Sequence, residues 1–163
     1  LSLNPSEHWA LQASYGRLAS PEQLEPDVDQ DRWTASALVD GGRGAEGHWE
    51  AMLAWGQDRN RPGRTTNAWT AEGALAFDAR RTAFARIELV EKDELFVAPD
   101  PLAGHVFTVG EVTAGYRYDW LRGEHTALGI GAAGTLSRIP SDLVPAYGTH
   151  PAGVVVFVRA AVR

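Results

Sequence analysis

Over residues 48–56, HWEAMLAWG, apolar side chains fall on alternate positions: Trp49, Ala51, Leu53 and Trp55, with Glu50 between the first two. On a helix these residues would scatter around the cylinder. On a strand the four share one face, and Glu50 joins Met52, Ala54 and Gly56 on the other. Such a strand suits a soluble core, and it equally suits a lipid-facing wall. The same period of two predicts strands over 8–18, 32–40, 48–58, 67–78, 82–91, 107–120, 125–138 and 153–163. One face collects Trp9, Leu11, Ala13 and Tyr15, then Trp33, Ala35, Ala37 and Val39, then Trp69, Ala71, Gly73, Leu75 and Phe77. Further on it collects Ala83, Ala85, Ile87 and Leu89, then Val112, Ala114, Tyr116, Tyr118 and Trp120, then Val154, Val156, Val158, Ala160 and Val162. Val155 and Phe157 interrupt the last alternation.

The connections alternate in length. Those at 19–31, 92–106 and 139–152 are long and rich in Pro and acid, 59–66 is of medium length, and 41–47, 79–81 and 121–124 are short. Loops at one end and turns at the other are the pattern of an outer-membrane barrel, and a soluble sandwich has no reason to sort its connections this way. With the first strand running outward, Trp9, Trp49, Phe77 and Trp120 fall at the turn end of the apolar face, and Tyr15, Trp33, Trp55 and Trp69 at the loop end. Indoles favour a membrane interface because the ring is apolar while its N–H seeks a wet partner. The expectation is an all-β chain: one domain over 1–163, an antiparallel up-and-down transmembrane β-barrel meander of about eight strands. Trp9, Trp33, Trp49, Trp55, Trp69 and Trp120 would be its membrane-interface residues, and a soluble lipocalin-like binding barrel is the competing architecture.

Composition removes other classes. Only 44% of the 163 residues are apolar, 17 are Gly and 9 are Pro, and no stretch approaches the roughly 20 apolar residues of a spanning helix. A net charge of −6 gives no electrostatic reason for a nucleic-acid partner. The absence of cysteine excludes disulfides and thiolate chemistry. "LSLNPSEHWALQ" carries neither a basic nor an apolar leader region, so no signal peptide is visible.

The opposite face carries Arg32, Glu50, Glu72, Arg86, Glu88, Glu111, Arg117, Asp119 and Arg159, which nearly cancel in charge. They form either a structural ion-pair network, kept from hydrocarbon in the lumen, or the lining of a permeation path. Gly129, Gly131, Ala133, Thr135 and Ser137 add a run of small groups to that face, leaving room for water or for the long side chains opposite. Catalytic ingredients are confined to long loops: His105 with Asp100, or His150 with Ser141 and Asp142. His8, His48, His105, His125 and His150 show no metal-ligand spacing, and GIGAAG at 129–134 lies inside a strand pattern with no helix after it. No cofactor, metal or catalytic residue is therefore expected, and a hydrolase using a loop histidine stands as the alternative.

Five segments carry a resemblance: NPSEHWALQASYGRLASPEQLEPD, WEAMLAWGQDRN, ARIELVEKDELF, GHVFTVGEVTAGYRYD and the close PAYGTHPAGVVVFVRAAVR. Across essentially the whole chain they resemble the C-terminal part of a group of uncharacterised proteobacterial outer-membrane barrel proteins often found beside metal-efflux genes. The resemblance implies a Gram-negative outer membrane, a lipid bilayer and the barrel-assembly machinery as partners, and a porin-like passive pore or structural role. It also implies a segment of a larger barrel, whose members extend upstream of Leu1. It carries no activity. The chain departs from barrels that end in an assembly-guiding aromatic, since residue 163 is Arg.

Overall fold

The computed structural model describes residues 1–21, 27–44, 46–123 and 126–162. It contains one antiparallel sheet of nine strands in chain order. These are β1 (Ser2–Ser6), β2 (Trp9–Leu18), β3 (Asp29–Arg43), β4 (Gly47–Arg61), β5 (Thr65–Ala76), β6 (Arg81–Lys92), β7 (Phe107–Arg122), β8 (Thr126–Arg138) and β9 (Ala152–Val162). Helix is confined to the last long connection, where a 3-10 turn at Ser141–Leu143 leads into the single α-turn α1 (Val144–Tyr147). The expected meander is present, and the sheet does not close: β1 and β9 are its two edges. His125, Arg163 and the middle of the 19–31 connection lie outside the described residues.

Two details differ from the sequence expectation. The strands number nine, because Ser2–Ser6 pairs with β2 through Leu3↔Leu11 and Ser6↔Trp9 across an irregular register. With Leu3 as its one large apolar residue and Pro5 inside it, this segment has no alternation to read. The medium connection shrinks to 62–64, because the polar residues Gln57 to Arg61 continue β4 and pair with Trp33 back to Asp29. Backbone pairing, not side-chain polarity, sets where these strands end. Gly63 with φ +148° supplies the backbone conformation that lets the 62–64 turn reverse so sharply, and Gly44 with φ +66° ends β3 in the same left-handed region.

Register carries the alternation through the sheet. One row runs Trp9↔Val39↔Ala51↔Gly73↔Ala85↔Ala114↔Gly134↔Val154, and its loop-side neighbour runs Leu11↔Ala37↔Leu53↔Ala71↔Ile87↔Val112↔Leu136↔Ala152. Every residue in both rows is apolar or Gly. Nothing covers this face: Leu53 is 51% exposed, Trp69 48% and Val156 66%. Among the described residues only Phe107, Ala127, Ala133 and Leu143 are buried apolar side chains, so no second layer forms a sandwich core.

The polar face is filled toward β9. Phe84 lies over Gly115 and Phe157 over Gly131, and the two rings meet at 6.2 Å. The small residues of β8 are therefore floor under side chains rather than an open gap, and Phe157 packs on the charged face rather than interrupting the apolar one. A Cβ at Gly115 would lie 2.8 Å from the Ala132 carbonyl oxygen as well as against the Phe84 ring, whereas one at Gly134 meets nothing. Gly115→Ala is expected to lose about 1–3 kcal/mol and Gly134→Ala close to none. Urea unfolding in detergent, followed by tryptophan fluorescence, measures both.

Candidate functional site

Two surfaces meet the criteria for a site: the uncovered apolar face and the charged face behind it. On the apolar face, Tyr15 lies opposite Trp33 and Trp55 opposite Trp69, with ring centroids 4.3 and 6.2 Å apart. Their polar tips point toward the loop end, where Tyr15 Oη donates to Asp31 Oδ1 at 3.0 Å and Trp55 Nε1 to Asn67 Oδ1 at 3.4 Å. Asn67 in turn donates through Nδ2 to Glu91 at 3.0 Å and accepts from Gln57 Nε2 at 3.0 Å. Beyond these lie Arg17, Asp31 and Arg59 in one row and Asp29 with Arg61 in the next. The face changes from hydrocarbon to charge within two residues, and aromatic rings mark the change.

At the turn end Trp9 pairs with Val39, and Trp49 folds over Gly41. Arg43 sits 5.6 Å above the Phe77 ring, a cation–π contact that keeps its charge at the rim. Trp120 occupies a bulge that the β7–β8 ladder skips between Asp119 and Leu121, and it is 45% exposed. Asp78 in the adjoining turn is held below the usual carboxylate range, first by the Arg81 guanidinium at 2.6 Å and then by the Arg80 backbone N–H at 2.8 Å. A depressed carboxyl favours the folded turn above its unfolded pKa and loses that effect as pH falls through its folded value.

The borders of the apolar band are not rows of the sheet. At the loop side the last apolar row is Tyr15↔Trp33 on β2–β3, the Trp55↔Trp69↔Leu89 row on β4–β6, and the Leu136↔Ala152 row on β8–β9. At the turn side it is Trp9 on β2, Trp49 on β4, Phe77 just past the end of β5, the Tyr118↔Ile130 row on β7–β8 and then Leu128↔Ala160 on β8–β9. Both borders drift the same way, by two to three rows. At ~6.6 Å per row and ~4.8 Å per strand, a drift of two to three rows over six to seven strands inclines the band about 20–35° to the rows of the sheet.

All nine charges expected in the lumen lie on the opposite face. Arg32 makes a two-pronged pair with Asp58 at 2.7 and 2.9 Å near the loop end. Arg86 stands between Glu72 at 3.9 Å and Glu88 at 2.7 Å. Glu88 is directly opposite Glu111, and Glu50 is opposite Asp40. The middle of this face is therefore acidic, with Asp40, Glu50, Glu72, Glu88 and Glu111 against Arg86. Toward the turn end Asp119, 1% exposed, receives Arg159 at 3.3 Å and faces Arg117 Nε at 3.4 Å, while Arg117 donates to Thr82 at 3.0 Å. Gly129 leaves the space that the Asp119 carboxylate occupies. A cleft of about 1210 Å³ opens at the loop end among Gln30, Arg32, Asp58, Asn60, Thr66 and Lys92.

The histidine pairs considered for catalysis are not assembled. Asp100 Oδ1 accepts the Leu102 N–H at 2.8 Å while His105 stacks on Phe107, and Ser141 donates to Asp142 at 3.4 Å. No hydrogen bond or ion pair joins His105 to Asp100 or His150 to Ser141 or Asp142 among the described residues. Those residues also hold no cluster of three or more metal-ligating side chains. Sequence reasoning missed the polar rim of Asp31, Gln57, Asn67, Arg59 and Arg61. All but Gln57 lay within or at the edge of expected connections, although Asp31, Gln57 and Asn67 sit two residues, Arg59 four and Arg61 six from a tryptophan of the same face. In comparisons with known proteins, no family model, curated protein or solved structure matches the chain.

Removing Asp119 would leave two guanidiniums facing each other without their counter-ion. Asp119→Ala is expected to cost about 3–5 kcal/mol, against under about 1 kcal/mol for Arg32→Ala in its half-exposed pair. Urea titration of the two variants gives the comparison.

Proposed function

We propose that the chain is a wall of a bacterial outer-membrane β-barrel, with its uncovered apolar face against lipid and its charged face lining a passive, water-filled path. The observation that carries this reading is the apolar band: aromatic-edged, bordered by charge on both sides, and inclined to the strands as a planar slab is to tilted barrel strands. Barrel strands tilt about 35–45°, and the two borders incline in one common sense, reaching the lower end of that range at the turn side. The loops then face outside and the short turns face the periplasm.

The acidic middle of the lumen face makes this a path that prefers cations, since rings of carboxylates raise the local cation concentration. The protein extracted from its native membrane and reconstituted in planar bilayers is expected to show a cation-favouring reversal potential under a salt gradient. Glu72→Gln should reduce that preference. An anion-favouring or absent conductance would leave a structural role for the same wall.

The lipid-facing assignment is tested separately. Detergent or lipid with brominated acyl chains quenches only indoles that touch it, so strong quenching of tryptophan in the folded protein is expected; a folded, unquenched sample would mean a soluble barrel. Leu53→Arg places a charge in the middle of the band and should cost about 2–4 kcal/mol of membrane-folded stability. Ala54→Arg, on the lumen side, should cost much less, because water or Glu72 and its neighbours can accommodate the charge.

A further inference from the structure

Resting on the membrane reading, we infer that the seam between the β5–β6 turn and the end of β7 is a site for the phosphate headgroup of one anionic phospholipid of the turn-side leaflet. Two guanidiniums hold this seam together. Arg80 Nη1 donates to the Trp120 carbonyl at 3.3 Å, and Arg122 Nη1 donates back to the Ala79 carbonyl. The Asp119 N–H also donates to the Arg80 carbonyl at 2.9 Å, so the turn and the strand end lie side by side. The two arginines reach across one gap from opposite sides, which brings both charges to the same place.

Neither charge is answered within the protein. A carbonyl oxygen satisfies one donor of each arginine but carries no net charge, and among the described residues no carboxylate pairs with Arg80 or Arg122. The acids nearby are committed elsewhere: Asp78 accepts from Arg81 at 2.6 Å, and Asp119 on the charged face is shared by Arg159 and Arg117. Glu124 lies outside the described residues. The loop-side rim is different, because Arg17 and Arg61 are paired there with Asp29 and Asp31. Two like charges held together repel, and a phosphate between them removes the repulsion while accepting the donors each guanidinium has left.

The seam opens onto the apolar band. Trp120 and Leu121 are 45 and 48% exposed, Leu121 pairs with Leu128, and Phe77, 44% exposed, leads into the turn. A free phosphate would use the guanidiniums alone, whereas a phospholipid uses both features, its phosphate at the rim and its acyl chain along Trp120 and Leu121. A zwitterionic headgroup would bring its own ammonium against the two arginines. An anionic one does not, so the site selects for net negative charge.

Phosphatidylglycerol and phosphatidylcholine, each with brominated acyl chains, are the probes, added in detergent to protein extracted from its native membrane. Phosphatidylglycerol is expected to quench tryptophan at a several-fold lower concentration, and Trp120→Phe should remove the difference. Arg80→Gln and Arg122→Gln should each weaken the preference about fivefold. Arg80→Lys combined with Arg122→Lys keeps both charges and should keep most of the preference; its loss there would overturn the inference. Arg59→Gln removes one exposed positive charge at the loop side and should change nothing. Equal quenching by the two lipids, a preference that survives both Gln substitutions, or one that falls as far in Arg59→Gln would also overturn it. So would displacement of phosphatidylglycerol by an equal concentration of inorganic phosphate, which would mark a free-anion site. If the Gln variants do not fold, the Trp120→Phe and lysine results decide. Quenching by neither lipid would mark failure of the membrane reading itself.

Discussion

A side chain on a strand can point to only two sides, and seven ladders from β2 to β9 make that choice jointly for the sheet. Slipping any one of them by a single residue would turn Leu53, Ile87 or Val156 into the charged face and Glu72 or Glu88 out of it. The pairing register is thus the constraint from which the aromatic borders, the exposed apolar band and the acidic lining all follow. The hydrogen bonds of the ladder satisfy the backbone, as the proposed lipid-facing wall requires of any chain in hydrocarbon. Under that proposal the side chains divide between two solvents.

Under the proposed function, that division accounts for the few buried apolar residues among those described. In a soluble domain the hydrophobic effect drives burial against a second layer. Here Phe84 and Phe157 lie over glycines on the charged side, while the larger apolar inventory points away from any protein contact. The charged face is organised by the same scarcity of alternatives. Asp119 is buried only because Arg117 and Arg159 reach it from the same and a neighbouring part of the sheet, and because Gly129 leaves it space. In the middle of the face one guanidinium, Arg86, serves the acidic rows, while Ser137 Oγ donates to Glu111 at 3.2 Å and Asp40 lies 3.8 Å from His8.

Strands with an apolar face were legible from period two alone, and β2 to β9 lie where the alternation placed them. What was not legible depended on contacts rather than pattern. β1 shows no alternation and exists because β2 offers an edge. The loop-side ends of β3 and β4, 29–31 and 59–61, look like a loop because Asp29, Asp31, Arg59 and Arg61 are charged, yet their backbones pair residue for residue. The filling of the glycine-rich face of β8 required knowing that Phe157 and Asp119 reach across from neighbouring strands. The charges of the lumen face were readable one by one, but that Glu88 would meet Glu111, and Glu50 meet Asp40, is a property of register.

The inclination of the band explains an oddity of its height. Measured along β4 alone, Trp49 to Trp55 spans six residues, about 20 Å at ~3.3 Å per residue, and still less across a tilted sheet. That is short of the ~25 Å apolar band usual for such barrels. On β5, however, Trp69 to Phe77 spans eight residues, about 26 Å by the same rise, because Phe77 lies one row beyond Trp49 toward the turn end. The Arg43 guanidinium, 5.6 Å over the Phe77 ring, marks the charged border there. Beyond Trp55, Gln57 and Asn67 begin the opposite rim with hydrogen bonds already made to each other, so the indole N–H of Trp55 finds a protein acceptor at the border. The slab is thus defined by neighbouring strands that enter and leave it at different residues. No single segment has to be long enough to span it, and each strand's alternation can look incomplete while the wall as a whole is continuous.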